Sequence, residues 1–161
     1  MNRLYLTLAL FIILRVFVAG QMVILQDGFD DGDFYFNPSW TGNTGAFIVN
    51  SDLQLQLFTN GSDTSCLSTN VSINSDSIEW RFFIRMDFKP SNNNMARVYL
   101  AAEHENLKVS QHAYYLRLGE NLSSDAIELF YQDSLDHISI CRGTDSLIYD
   151  QPSLFIKVIL N

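Results

Sequence analysis

Four aspartates crowd the segment DGFDDGDF, at Asp27, Asp30, Asp31 and Asp33. Hard carboxylate oxygens grouped around glycines are what a Ca²⁺ ion takes as ligands. An EF-hand loop does not fit: with Gly32 at the sixth position, Phe29 stands where the third-position ligand belongs and Pro38 where the bidentate acid belongs. Two readings remain, a solvated turn after the first strand and a non-EF-hand calcium site of the sort found in secreted β-sandwiches.

Catalytic constellations are harder to find. Hydrolysis of a glycosidic bond needs two carboxylates flanking it. Jelly-roll glycosidases carry them as E-x-D-x-x-E on one strand, and SIEWRFFIR, AIELFYQD and AAEHEN all lack that pattern. Glu103 and Glu105 flank His104, but a lone E-H-E at a strand end reads as a solvated turn. His112 and His137 have no metal-ligand spacing. There is no G-x-S-x-G nucleophile motif and no phosphate-cradling glycine loop. The expectation is a protein that is not an enzyme.

A third set of polar residues alternates with core residues. In SIEWRFFIRMDF, Ile78, Trp80, Phe82, Ile84, Met86 and Phe88 interleave with Glu79, Arg81, Phe83, Arg85 and Asp87, the period of a strand with one buried face. If this strand neighbours those at 96–103, 113–118 and 126–132, then Glu79, Arg81, Arg85, Asp87, Arg97, Tyr99, Tyr115, Arg117 and Glu128 share one sheet face. Arg81, Arg85, Arg97, Tyr99 and Arg117 are expected to line its concavity. Such a face is either a carbohydrate groove, with Tyr or Trp40 as a flat apolar platform, or a solvated lattice of cross-strand ion pairs.

The elements that must position these residues read as β throughout. Strand-like runs at 23–25, 46–49, 53–58, 66–69, 78–88, 96–103, 113–118, 126–132, 137–142 and 154–160 alternate with turn clusters such as TNGSDTS, KPSNNN and GENLSSD. Aromatic residues make up 13% of the chain and Phe alone supplies 12, which favours pleated, half-buried surfaces. No helical crossover is apparent, so the pattern predicts an all-β antiparallel sandwich or jelly roll. The 161 residues suit one such domain.

Residues 1–20 show a basic start at Arg3, an apolar run from Leu4 to Leu14 and the small-residue ending Val18-Ala19-Gly20, the three regions of a secretory signal peptide. The run is shorter than the ~20 residues of a spanning helix, so no stable membrane span is expected after cleavage. The β-sandwich domain then occupies 21–161. Formal charge is -8, and losing Arg3 and Arg15 takes ten basic residues to eight against eighteen acidic. Nucleic acid, which needs a basic footprint, is therefore excluded as a partner. Export would bring Cys66 and Cys141 to an oxidising compartment, where they either pair or act as small buried hydrophobes.

The segments DGFDDGDFYFNPSWTGNTGAFIVNSDLQLQL, SIEWRFFIRMDFKPSNNNMARVYLAAE, AYYLRLGE, DAIELFYQD and ISICRGT together resemble the N-terminal domain of secreted bacterial lamin-tail-domain-containing proteins. The resemblance covers nearly the whole mature part. It implies a concanavalin A-like or laminin-G-like jelly roll with no catalytic residue, set ahead of other extracellular modules. Members of that family continue for several more strands, whereas PSLFIKVILN stops inside an apolar run; the expectation is a sandwich truncated at its C-terminus and lacking its last strands. These observations predict a non-catalytic, secreted or cell-surface module that binds glycan or another cell-surface component, or serves as an adhesion or spacer unit. The alternative is a structural fragment of a multidomain secreted hydrolase whose active site lies downstream. No cofactor is expected apart from the candidate Ca²⁺.

Overall fold

The computed structural model of the protein describes residues 22–161 apart from 62 and 121–123; the expected signal peptide lies outside the described residues. The strands are β1 (Thr41–Gly42), β2 (Phe47–Val49), β3 (Leu55–Leu57), β4 (Leu67–Ser68), β5 (Ile78–Arg85), β6 (Ala96–Ala102), β7 (Gln111–Leu118), β8 (Ile127–Ser134), β9 (Asp136–Arg142) and β10 (Ser153–Leu160), with one 3-10 turn at Thr44–Ala46. Every ladder between strands is antiparallel. No helix among the described residues is long and apolar enough to cross a membrane.

Alternation builds the core. β5 and β10 pair along their full length, from Arg85 opposite Ser153 to Ile78 opposite Leu160. Phe82 and Ile84 of β5, with Leu154, Ile156 and Val158 of β10, form one inner face. Against it pack Ala96 and Val98 of β6, Leu116 and Leu118 of β7, and Ile127 and Leu129 of β8, around the buried Met86 and Ile148. The second layer is the meander β6-β7-β8-β9. The result is an antiparallel β-sandwich, in which each fully buried Leu or Ile contributes about 1.5–3 kcal/mol.

β5 does not join the meander. Its only strand partner among the described residues is β10, so the KPSNNN segment carries the chain from one layer to the other rather than closing a hairpin. β5 was expected to run to 88 but ends at Arg85, where the Met86 amide donates to the Pro152 carbonyl at 2.9 Å. Met86 still packs in the core, whereas Phe88 is exposed.

Residues 22–76 form two smaller ladders, β1 with β4 and β2 with β3. The strand expected at 23–25 does not form, and Val23 and Leu25 are exposed. The run LQLQLF pairs only from Leu55. Leu53 takes a left-handed φ of 57° in a turn that the Asn50 side chain organises, accepting from the amides of Asp52 and Gln54. β1 was not expected, because a two-residue strand leaves no periodicity to read. Gly42 permits it: at φ +123° a Cβ would lie 2.4 Å from the Cys66 carbonyl oxygen.

Candidate functional site

The outer face of the meander gathers the densest set of polar and aromatic side chains. Tyr115 lies at its centre with 1% of its surface exposed. Phe130 stacks beside it almost parallel, centroids 5.3 Å apart, and Tyr99 lies 5.1 Å away on the other side. His137 meets the same ring edge-on, and its Nδ1 is 3.0 Å from the Tyr115 hydroxyl. Two guanidinium groups lie over this aromatic layer, Arg97 at 5.0 Å from the Tyr115 ring and Arg117 at 4.5 Å from Phe130. Each such cation–π contact contributes about 0.5–2 kcal/mol.

One row of this face runs across all four strands as Arg97, Arg117, Glu128 and Arg142. Glu128 is buried and accepts from Arg117 at 2.7 Å and from the Ser139 hydroxyl at 2.6 Å, with Arg142 at 3.6 Å. Arg142 also forks onto both oxygens of Glu120 and reaches Asp145 at 2.9 Å. Asp125, itself fully buried, holds the Glu120 amide at 2.9 Å and so fixes that carboxylate's approach. Arg97 is exposed and has no carboxylate within ion-pairing distance among the described residues.

Electrostatics follow from this layout. The hydrogen bonds from Arg142 hold the Glu120 carboxyl below the usual range, the opposite of what a general acid in glycoside hydrolysis requires. Burial pushes the Tyr115 phenol up against the opposing pull of Arg97. Burial, aided by Arg97, pushes the His137 imidazole down. The Tyr115 hydroxyl and His137 Nδ1 share one hydrogen bond. The face offers planar donors, a half-buried tyrosine ring and hydroxyls, a chemistry of binding.

Of the residues expected on one face, Arg97, Tyr99, Tyr115, Arg117 and Glu128 do come together. Arg81 and Arg85, with Glu79 and Asp87, do not. The two arginines lie on the outer face of β5, in the other layer, where Arg81 pairs with Glu79 and Arg85 with Asp87 at 3.1 Å. The expected single concave face is therefore divided between two sheets, because β5 pairs with β10, which follows the whole meander in sequence, and not with β6. Trp40 is elsewhere again: its indole N–H donates to Asp27 at 2.7 Å and its ring lies near Phe29. Tyr115 is covered by its neighbours, so it is a floor and not an open platform.

Arg142, Glu120, Phe130, His137 and Ser139 belong to the face and were not expected there. Strict alternation would put Arg142 and Ser139 on opposite sides of β9. The register instead steps from Leu129 opposite Cys141 to Phe130 opposite Ser139, passing over Ile140. This bulge brings both side chains over Glu128. No residue type in ISICR signals it.

The other sequence candidates serve local structure. Asp27 accepts from the Phe29 amide as well as from Trp40, and Asp33 accepts from the amides of Tyr35 and Phe36. No three His, Cys, Asp or Glu side chains are gathered to hold a metal ion among the described residues. Glu103 turns toward His112, and the Glu105 carbonyl accepts from Ser68. Both cysteines are free thiols, Cys66 half-buried and Cys141 exposed. An open cleft of about 590 Å³ near β1, lined by Asn43, Thr44, Asp63, Thr64, Ser65 and Lys108 among others, includes none of the expected residues. Compared with protein-family models, curated proteins and solved structures, the chain matches none of them, so the chemistry of the meander's outer face carries the functional argument.

Proposed function

We propose that this chain is an exported, non-catalytic β-sandwich module of the concanavalin A-like or laminin-G-like kind, which binds carbohydrate on the outer face of β6–β9 within a larger secreted or cell-surface protein. The observation that carries this reading is the convergence of Arg97, Tyr99, Arg117 and Ser139 on one sheet face over a rigid aromatic floor. Arginine forks and hydroxyls suit sugar hydroxyls, and preorganised donors reduce the entropy lost on binding.

A pull-down on insoluble polysaccharides and a glycan array test it. Binding should weaken at least severalfold in Tyr99→Ala and stay unchanged in Arg81→Ala, which lies on the other layer. A folded protein that binds no glycan would sink the reading. One observation favours a second reading: Glu128 and Glu120 are saturated by arginines and Ser139, as in a lattice that only braces the sheet. On that reading the module is a spacer or a structural part of a secreted hydrolase. It predicts that Tyr99→Ala changes no binding at all.

A further inference from the structure

Arg97 and Arg117 stand directly opposite each other on neighbouring strands. Like charges in that relation destabilise a sheet. Arg117 is neutralised by Glu128 at 2.7 Å, and Arg142 at the far end of the row by Glu120 and Asp145. Arg97 is the arginine of the row that has no carboxylate of its own within ion-pairing distance among the described residues. It sits on β6, one of the two edge strands of the meander, exposed to solvent on a chain whose formal charge is -8.

The geometry around it is built rather than loose. The guanidinium lies over the Tyr115 ring, which limits its freedom and leaves its N–H edge for a planar acceptor. Tyr99 is on the same strand, with its hydroxyl 3.4 Å from the Gln132 side-chain oxygen. Among the described residues, the His137 ring meets Tyr115 edge-on and makes its hydrogen bond through Nδ1. A carboxylate is planar and takes a bidentate guanidinium, whereas neutral hydroxyls would leave the charge uncompensated.

Resting on the carbohydrate reading above, we infer that the Arg97 end of the row is the subsite for the oxyanion of an acidic polysaccharide, with Arg97 accepting its charge and Tyr99 and His137 contacting the ring that bears it. The acidic surface elsewhere does not forbid this, because charges beyond about 8–10 Å are screened at physiological ionic strength.

Affinity electrophoresis of the whole protein through gels containing polygalacturonate, dextran sulfate or neutral dextran decides the matter. Wild type should be retarded by an anionic gel, with affinity about tenfold or more weaker in Arg97→Ala, the loss expected for one charge-assisted contact. Arg97→Lys keeps the charge but not the fork and should fall between; it also serves if the alanine variant loses its near-UV circular dichroism. Arg81→Ala should behave as wild type. Arg97-dependent retardation on polygalacturonate identifies a carboxylate, and on dextran sulfate a sulfate ester. Equal retardation of wild type and Arg97→Ala, or equal weakening by Arg81→Ala, overturns the subsite. Retardation by neutral dextran alone overturns it while leaving carbohydrate binding intact. No retardation of folded protein on any gel overturns both.

Discussion

The sandwich has two outer faces, written in the same alternation and finished differently. Outside β5–β10, Phe83 and Phe155 meet at 5.0 Å with Phe155 89% exposed, and Arg81 and Lys157 share Glu79 near the surface. Outside β6–β9, the aromatic rings are roofed by guanidinium groups and the central carboxylate is buried under two donors, with a second arginine at 3.6 Å. Strand number makes the difference. A residue in the middle of four strands has neighbours on both sides to cover it, whereas every residue of a two-stranded sheet lies at an edge. Side chains of the same type are therefore structural floor on one face and solvated surface on the other.

Truncating the central ring of each face tests that contrast most strongly. Tyr115→Ala should cost about 3–5 kcal/mol, as for other buried aromatics, while Phe155→Ala should change stability by no more than about 0.5 kcal/mol. Urea unfolding midpoints of the two variants measure this directly. Similar midpoints would mean that the meander's outer face is no better packed than the surface of β5–β10.

Removing the carboxylates should separate the faces by less. Glu128→Ala removes the acceptor of Arg117 and Ser139, while Arg142 keeps Glu120 and Asp145. With the two arginines still partly open to water, the expected cost is about 2–3 kcal/mol, below that of a fully buried pair. Glu79→Ala breaks a surface cluster and should cost under about 1 kcal/mol. If Glu128→Ala is as mild as Glu79→Ala, solvent already screens the row and the lattice adds little to the fold.

How much of this was legible beforehand depended on range. Alternation in IEWRFFIR, QHAYYLRL and IELFYQDS is local, so the strands and their inner faces could be read, and Arg97, Tyr99, Tyr115, Arg117 and Glu128 were correctly grouped. Grouping Arg81 and Arg85 with them failed because KPSNNN looks like a hairpin turn, and nothing local says that β5 pairs instead with β10. The Cys141-to-Ser139 step was hidden for a related reason. A bulge moves side chains between faces without altering composition, and it alone places Ser139 and Arg142 over one glutamate. Asp27 illustrates a third limit: its partner is the Trp40 indole, a contact set by the tertiary path of the chain and not by the spacing of aspartates.

The smallest effect is in pH, where two histidines of the meander should act with opposite signs. Burial depresses the His137 imidazole from its ordinary value of 6.5. Below 6.5 the unfolded chain takes up that proton more readily than the folded one, so the stabilisation from His137 is complete above 6.5 and is lost as pH falls. His112 is raised from the same value by its hydrogen bond to Glu103 at 3.0 Å, with Asp133 at 3.2 Å on its other nitrogen. Its contribution is complete below 6.5 and is lost as pH rises through the folded value. Chemical denaturation between about pH 5 and 8 should therefore show a shallower acid-side decline in His137→Gln. His112→Gln should lose stability near pH 6 and almost none near pH 8, with a small amplitude because the site is exposed. Two variants that shift the profile in the same direction would place both imidazoles in the same kind of environment, and would break the distinction between a histidine packed edge-on against the buried Tyr115 and one held between two exposed carboxylates.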